Sequence, residues 1–307
     1  LLNELLKLKK DTFGLDIGLR SMKIVQIQGR GKNAYLVGAT EVEVPPKCIT
    51  KNGVREKDKL VQIIKQAIKQ TRPKKINANL VSSALPESLV FTKAFDLPNM
   101  SPKELAKNIP FQTLEFFPLP KEETYLDWQV VGTQPDGTME VFAVAAPKIV
   151  VDSLVETILL AGLEPVAIET KPIAITRALV SSDEKGPILL IDIGAENSSM
   201  ICYDQSTIKL TSTLTLGGDK IAQDVEKGVS LLANEVSHLT KYYQNRLSQS
   251  RLFKKIILAG GGAQIEQLPE MLERITKIQT EIGKPIIKVN NYHPKFAVAI
   301  GLALKEI

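Results

Sequence analysis

The chain has 307 residues, 44% hydrophobic and 24% charged, with 39 Lys and Arg against 34 Asp and Glu for a formal net charge of +5. This is the balance of a folded globular protein long enough for two domains, which excludes a disordered chain. The positive excess is small, dispersed and free of interleaved aromatics, which argues against a nucleic-acid partner, and no apolar run reaches the length of a membrane helix.

Residues 1–12 open the chain as a basic amphipathic segment. Leu1, Leu2, Leu5, Leu6 and Leu8 fall on one side of a short helix, with Lys7, Lys9 and Lys10 towards the other. Such a segment packs on its own domain or a neighbour, or lies on an acidic membrane surface. No signal peptide is visible. Phe13-Gly14-Leu15-Asp16-Ile17-Gly18 then reads as a buried strand entering a tight turn, with Met22 to Ile27 as the returning strand. A strand-end carboxylate two residues before a glycine can hold a hydrated Mg²⁺, while the bare glycine lets backbone N–H groups face phosphate oxygens. The bland alternative is an aspartate that only caps its turn.

Ala34 to Val44 is a further strand ended by Pro45-Pro46, Val54 to Gln70 an amphipathic helix, and Lys74 to Ser83 a returning strand. Leu89 to Phe95 reads as a strand, and Ser101-Pro102-Lys103-Glu104 starts a helix with an N-cap, a first-turn proline and a capping-box glutamate. Pro110 should kink or split that helix. Thr124 to Val131 and Thr138 to Ala145 alternate as strands about the turn Gln134-Pro135-Asp136-Gly137, and Lys148 to Ala161 is a helix stopped by Gly162. Residues 86–165 thus make a small α/β subdomain inserted into a first half, which spans residues 13–85 and returns, with a linking helix, over 166–186.

The second half, residues 187–307, repeats the opening motif. Pro187 to Ile191 leads into Asp192-Ile193-Gly194, and Met200 to Tyr203 returns as a strand. Two such units suggest related halves that face each other across a cleft, each with a phosphate clamp. Residues 219–247 read as one long helix broken near Gly228. Lys255 to Ala259 is a short buried strand running into Gly260-Gly261-Gly262, where a flat base or ribose can lie on bare backbone. His238 and His293 leave too few histidines for a metal cluster or a Ser-His-Asp site, and the isolated Cys48 and Cys202 fit a reducing cytoplasm.

The order of these motifs resembles the phosphate 1, phosphate 2 and adenosine segments of the actin, hexokinase and 70-kilodalton chaperone ATPase fold. More closely, the chain resembles the PilM family of type IV pilus assembly proteins. Its matching segments are Gly14-Leu15-Asp16-Ile17-Gly18, Ala84-Leu85-Pro86-Glu87-Ser88, Asp96-Leu97-Pro98-Asn99-Met100, Tyr125-Leu126-Asp127-Trp128, Ala161-Gly162-Leu163-Glu164-Pro165, Leu216-Gly217-Gly218 and Phe296 to Leu304. The resemblance implies an α/β, actin-like (ribonuclease H-like) fold of duplicated halves around a nucleotide cleft, with the inserted subdomain and a C-terminal helix packing back on the first half. The family carries more sequence near Glu226 to Leu231 and Val289 to Pro294, so a deletion or omitted loop is expected at both places.

ATP and Mg²⁺ are the implied ligands. Asp16 and Asp192 would flank the metal, with Gly18, Gly194, Asn197 and Ser198 in the two phosphate turns. Gly260, Gly261 and Gly262 would lie under the base or ribose, and Gly217 and Gly218 are further implied cofactor contacts. Lys23, seven residues after Asp16, is either a phosphate lysine or a solvent-facing one. Glu169 either orients an attacking water or is salt-bridged at a helix start. Leu19 and Arg20 follow Gly18 where the family prefers small hydroxyl residues, so hydrolysis should be slow or absent. Arg20 itself either contacts phosphate or points to solvent.

The family also implies a groove between the inserted subdomain and the first layer. It would take the N-terminal cytoplasmic tail of a PilN-like inner-membrane pilus assembly protein, with Leu85, Phe91, Phe95, Leu97 and Phe116 as candidate linings, although an apolar residue on a strand or helix is usually core. The expected role is a nucleotide-responsive cytoplasmic adaptor, peripheral to the inner membrane through its partner. Other pilus platform or motor components and self-association are further expected contacts. The rival readings are an FtsA-like filament-forming protein, a related secretion-system platform protein, and a small-molecule kinase, for which the chain shows no catalytic-acid motif.

Overall fold

A computed structural model describes residues 11–305, apart from residues 30, 51, 86, 115–116, 135, 185, 248–251 and 290–291. The amphipathic helix expected at the N-terminus lies outside the described residues.

The opening hairpin is β1 (Thr12–Ile17) and β2 (Ser21–Gln28), paired so that Asp16 faces Lys23. Then β3 (Tyr35–Glu43) extends the sheet, β4 (Ile49–Thr50) and β5 (Gly53–Val54) make a small side hairpin, and α1 (Lys57–Gln70) buries Leu60, Ile64 and Ala67. Burying each larger aliphatic of this kind contributes roughly 1.5–3 kcal/mol. The strand expected over residues 74–83 is confined to β7 (Leu80–Leu85), preceded by the short edge strand β6 (Arg72–Pro73). Between them the chain turns, because Thr71 Oγ1 takes the Ile76 N–H at 3.0 Å.

The inserted sheet holds β8 (Phe91–Leu97), β9 (Thr124–Thr133) and β10 (Met139–Pro147) in the order β8-β10-β9, with α2 (Pro102–Leu114) packed on it through Leu105 and Ile109. The capping box forms as expected, with the Ser101 N–H donating to Glu104 Oε2 at 2.8 Å. Pro110 does not split α2; a proline there forfeits one helical hydrogen bond, which the packed face offsets.

The next helix, α3 (Lys148–Leu160), ends at Gly162, whose φ of +84° suits the left-handed C-cap. It follows β10 directly, yet Val150, Leu154 and Ile158 pack into the core of the first half. From there β11 (Glu164–Thr170) pairs parallel with β7, and α4 (Lys171–Leu179) crosses to the second half. The resulting six-stranded sheet runs β11-β7-β1-β2-β3-β6.

The second half repeats the plan. Its hairpin is β12 (Ile188–Ile193) and β13 (Ser198–Asp204), followed by β14 (Thr207–Leu214). Helices α5 (Gly218–Ile221) and α6 (Val225–Leu247) follow, then β15 (Lys255–Ala259), α7 (Leu268–Thr276), β16 (Gln279–Ile282) and α8 (Ala297–Ala303). The sheet order is β14-β13-β12-β15-β16. Gly228 lies inside α6 rather than breaking it. The break falls earlier, between Ile221 and Val225, and the bare Gly228 lets α5 cross α6 there: a Cβ would come within 2.9 Å of the Ile221 Cα.

The two sheets are built alike. Each has an antiparallel hairpin, a third strand beyond it and a parallel strand on the other side of the first, β7 beside β1 and β15 beside β12. The layers run from α1 and α3, through the first sheet, to α4 and α8 in the middle, then the second sheet, with α6 and α7 outside. Helix α8 packs so tightly over β1 that a Cβ on Gly14 would lie 2.1 Å from the Ala299 carbonyl oxygen.

Candidate functional site

Period-two alternation puts Phe13, Leu15 and Ile17 into the outer core of the first half and leaves Asp16 on the other side of β1, towards the second half. Asp192 ends β12 in the same way. Both carboxylates line one cleft of about 140 Å³, whose walls also carry Gly18, Leu19, Arg20, Lys23, Lys171, Gly194, Asn197, Ser199, Gly260 and Lys295.

The cleft is rich in cations. Lys171, the first residue of α4, brings its Nζ to 2.7 Å from Asp16 Oδ1. Lys23 Nζ donates to Ser21 Oγ at 2.7 Å and lies 3.6 Å from Glu41, which Lys295 reaches from the second half at 2.5 Å. Burial pushes the Asp16 carboxyl up, but Lys171 and Lys23 outweigh it and hold the group below its ordinary value. Asp192 goes the other way: burial raises it, Lys171 offsets only part, and the Asp16 charge adds to the rise. Gly260, at a φ of +81°, runs so close to this carboxylate that a Cβ would sit 2.5 Å from Asp192 Oδ1.

Arg20, about half exposed, is held by ion pairs. It spans the mouth, with Nε 3.1 Å from Glu196 and an Nη 3.2 Å from Asp219, so the turn of one hairpin is clasped to that of the other. The two turn glycines serve the turns themselves. The Gly18 N–H donates to the Ser21 carbonyl at 2.9 Å and that of Gly194 to the Asn197 carbonyl at 3.0 Å, so neither faces a phosphate.

Several expected site residues stand elsewhere. Ser198 Oγ donates to the Leu216 carbonyl at 2.6 Å inside the protein, and its neighbour Ser199, opposite Asp192 in the ladder, lines the cleft instead. Gly217 packs on the Ala195 carbonyl, Gly218 and Gly262 on each other, and Gly261 is open to solvent, so of these five glycines only Gly260 lines the cavity. Glu169 is the ion-paired glutamate of its two readings. Arg177 holds both its oxygens, at 2.6 and 2.8 Å, and Lys305 approaches at 3.2 Å. Sequence reasoning missed Lys171 and Lys295. The only signal for Lys171 was its place two residues beyond Glu169, at the strand-to-helix junction.

A second cavity, about 460 Å³, lies under α2 and along the outer edge of β9, which pairs with no further strand among the described residues. Pro110, Phe117, Tyr125, Leu126 and Trp128 line it, with Lys121 and Lys148 among its cations. Of the residues first considered for a partner groove, Leu85 and Leu97 are core, Phe95 packs against the α2 core, and Phe116 lies outside the described residues. Phe91 is exposed and stacks edge-on against Phe117 at 4.9 Å.

Two like-built halves joined by α4 and α8, with an aspartate from each over one cleft, define the class of actin-like ATPase folds. MreB 5 of Spiroplasma citri bound to AMPPNP shares this fold at a TM-score of 0.51 and 13% identity, over 95% of this chain and 94% of that one. A solved PilM-PilN type IV pilus biogenesis complex matches at a TM-score of 0.81 and 23% identity, over 97% of this chain and 99% of that chain. The family model for type IV pilus assembly protein PilM matches residues 14–231, and the chain belongs to that family. The model for cell division protein FtsA matches residues 189–301. FtsA of Enterococcus hirae is 24% identical over 236 residues, 69% of this chain and 53% of that protein, so the chain spans about half the length of that relative. Among the described residues, no helix is long and apolar enough to cross a membrane.

Proposed function

We propose that this chain is an ATP-binding cytoplasmic adaptor of the type IV pilus inner-membrane platform. It receives the N-terminal tail of a PilN-like membrane protein and grips it differently with nucleotide bound. The observation that carries the reading is the shared cleft between Asp16 and Asp192, walled by Lys23, Lys171, Arg20 and Lys295. Four cations around one cavity suit a phosphate chain. At about 140 Å³ the cleft is smaller than the roughly 300–1,000 Å³ of small-molecule sites, so it suits the phosphates alone. Binding a whole nucleotide then requires the Arg20 clasp to open, with the nucleoside passing over exposed Gly261.

Magnesium, expected from the family at Asp16 and Asp192, fits these residues poorly. Lys171 already holds Asp16, with its ammonium 2.7 Å from Oδ1 where the ion would be sought. Turnover is slow or absent on this reading, because Glu169 is held by Arg177 away from the cleft.

The partner tail lies in the groove beside β9, whose outer edge offers backbone pairing, with Tyr125 and Trp128 as apolar anchors. One strand links the cleft to the inserted sheet that carries the groove. On a single face of β14, Thr213 lines the cleft, Thr211 meets Thr92 of β8 at 2.5 Å, and Lys209 meets Glu140 of β10. The chain then sits peripherally at the inner membrane through its partner, where it can also meet other platform or motor components or a second copy of itself.

Calorimetric titration of the full chain with ATP tests the cleft. Saturable binding that Lys23→Glu abolishes, with the circular dichroism spectrum unchanged, supports it. Absence of binding, or binding indifferent to that charge reversal, refutes it.

A further inference from the structure

The phosphate cleft carries its own cation in the place where a metal would be sought. Lys171 Nζ stands 2.7 Å from Asp16 Oδ1, and the side chains are 17% and 6% exposed. A carboxylate buried this deeply needs a compensating charge, and a neighbouring ammonium supplies it from within the fold. A hydrated divalent ion approaching Asp16 has to compete with that ammonium. Lysine is also a point charge with three donors on a flexible stem, so one ammonium can bond a protein carboxylate and a phosphate oxygen at once.

We propose that Lys171 is the resident cation of this site, bridging Asp16 and the phosphate chain of a bound nucleotide, so that nucleotide binding does not require a divalent metal. The proposal deepens the nucleotide reading of the cleft and rests on it. Lys23 and Lys295, which share Glu41 between them, stand in the same walls and add positive charge towards a triphosphate. A protonated lysine accepts no hydrogen bond, so Lys171 cannot orient an attacking water as a carboxylate or amide does.

The test is calorimetric titration of the full chain with ATP, once with excess MgCl₂ and once with EDTA. Wild-type affinities in the two media should agree within about threefold, well under the tenfold that corresponds to 1.4 kcal/mol. Lys171→Met should bind about 10- to 100-fold more weakly in EDTA, the usual range for loss of a charged hydrogen-bond partner, and Mg²⁺ should restore much of that loss. Lys171→Arg keeps the charge and should retain metal-free binding. Wild-type binding seen only with Mg²⁺ overturns the proposal, and this comparison does not depend on any variant folding. Binding in neither medium overturns the nucleotide reading itself, and this one with it.

Discussion

Lys209 of β14 meets Glu140 of β10 at 2.5 Å, and both side chains are almost wholly buried, at 6% and 4% exposure. The pair joins the inserted sheet to the second half, next to the Thr92–Thr211 contact. Removing one member of a buried pair strands the other charge in a poorly solvating interior, at a cost of about 3–5 kcal/mol. Glu140→Ala and Lys209→Ala should each lower the unfolding free energy by that order in urea titrations. The double variant Glu140→Leu/Lys209→Met should recover most of it, because no charge is left unpaired. Single variants within about 1 kcal/mol of wild type would mean that solvent reaches the joint.

The clasp over the cleft should behave differently. Arg20, Glu196 and Asp219 are each about half exposed, so their bridges add no more than about 1 kcal/mol to stability. Glu196→Gln with Asp219→Asn frees Arg20 and removes two negative charges from the mouth. Stopped-flow mixing with a fluorescent ATP analogue should then show faster association, most clearly at low salt. An unchanged association rate would mean that the mouth already stands open.

Docking of the C-terminal helix can be probed at Gly301. A Cβ there would lie 1.7 Å from the Ala174 carbonyl oxygen, backbone that cannot swing aside. Gly301→Ala should push α8 off α4 and strain the bond that Arg177 donates to the Gly301 carbonyl. The expected cost is at or above the usual 1–3 kcal/mol for overpacking, visible as a drop of several degrees in Tm. An unaltered melting curve would contradict the close approach of the two helices.

Glu41 provides a pH dependence. Burial raises its carboxyl, but the Lys295 bond, the Ser21 hydroxyl and the Lys23 charge together hold it below its ordinary value of 4.5. A carboxyl lowered in the folded state binds its proton less readily there than in the unfolded chain. Its stabilisation is therefore complete above about pH 4.5 and lost as the pH falls through the lowered value. Lys295→Gln should flatten this acid limb in urea titrations run across pH. Superimposable pH profiles for the two proteins would remove the bridge from the account.

Both hairpins and the helix limits at Ser101 and Gly162 were readable because their signals are local: alternation, a capping box, a left-handed glycine. The cleft's electrostatics were not. Glu169 was open to two readings because its partners, Arg177 and Lys305, are gathered by the packing of α8 on α4, which nothing near Glu169 announces. Ser198 and Ser199 differ by one register step, and only the pairing with β12 decides which of them faces the cavity. Helix α3 follows the inserted sheet in sequence but packs on the first half, since its buried stripe is generic and any apolar face nearby would take it. The Lys209–Glu140 pair, two charged residues in apparently half-exposed strands, gave no sign that both would be buried.

Nucleotide in the cleft is proposed to change the grip of the groove. The most direct measurement of that change is the affinity of the full chain for a peptide of a PilN-like N-terminal tail, with and without saturating ATP. The expected result is a shift of about fivefold or more, the low end of measured couplings between sites, which weakens when Thr211→Val disturbs the strand between them. Equal affinities in the two conditions would contradict it and leave the protein a scaffold whose grip does not answer to nucleotide.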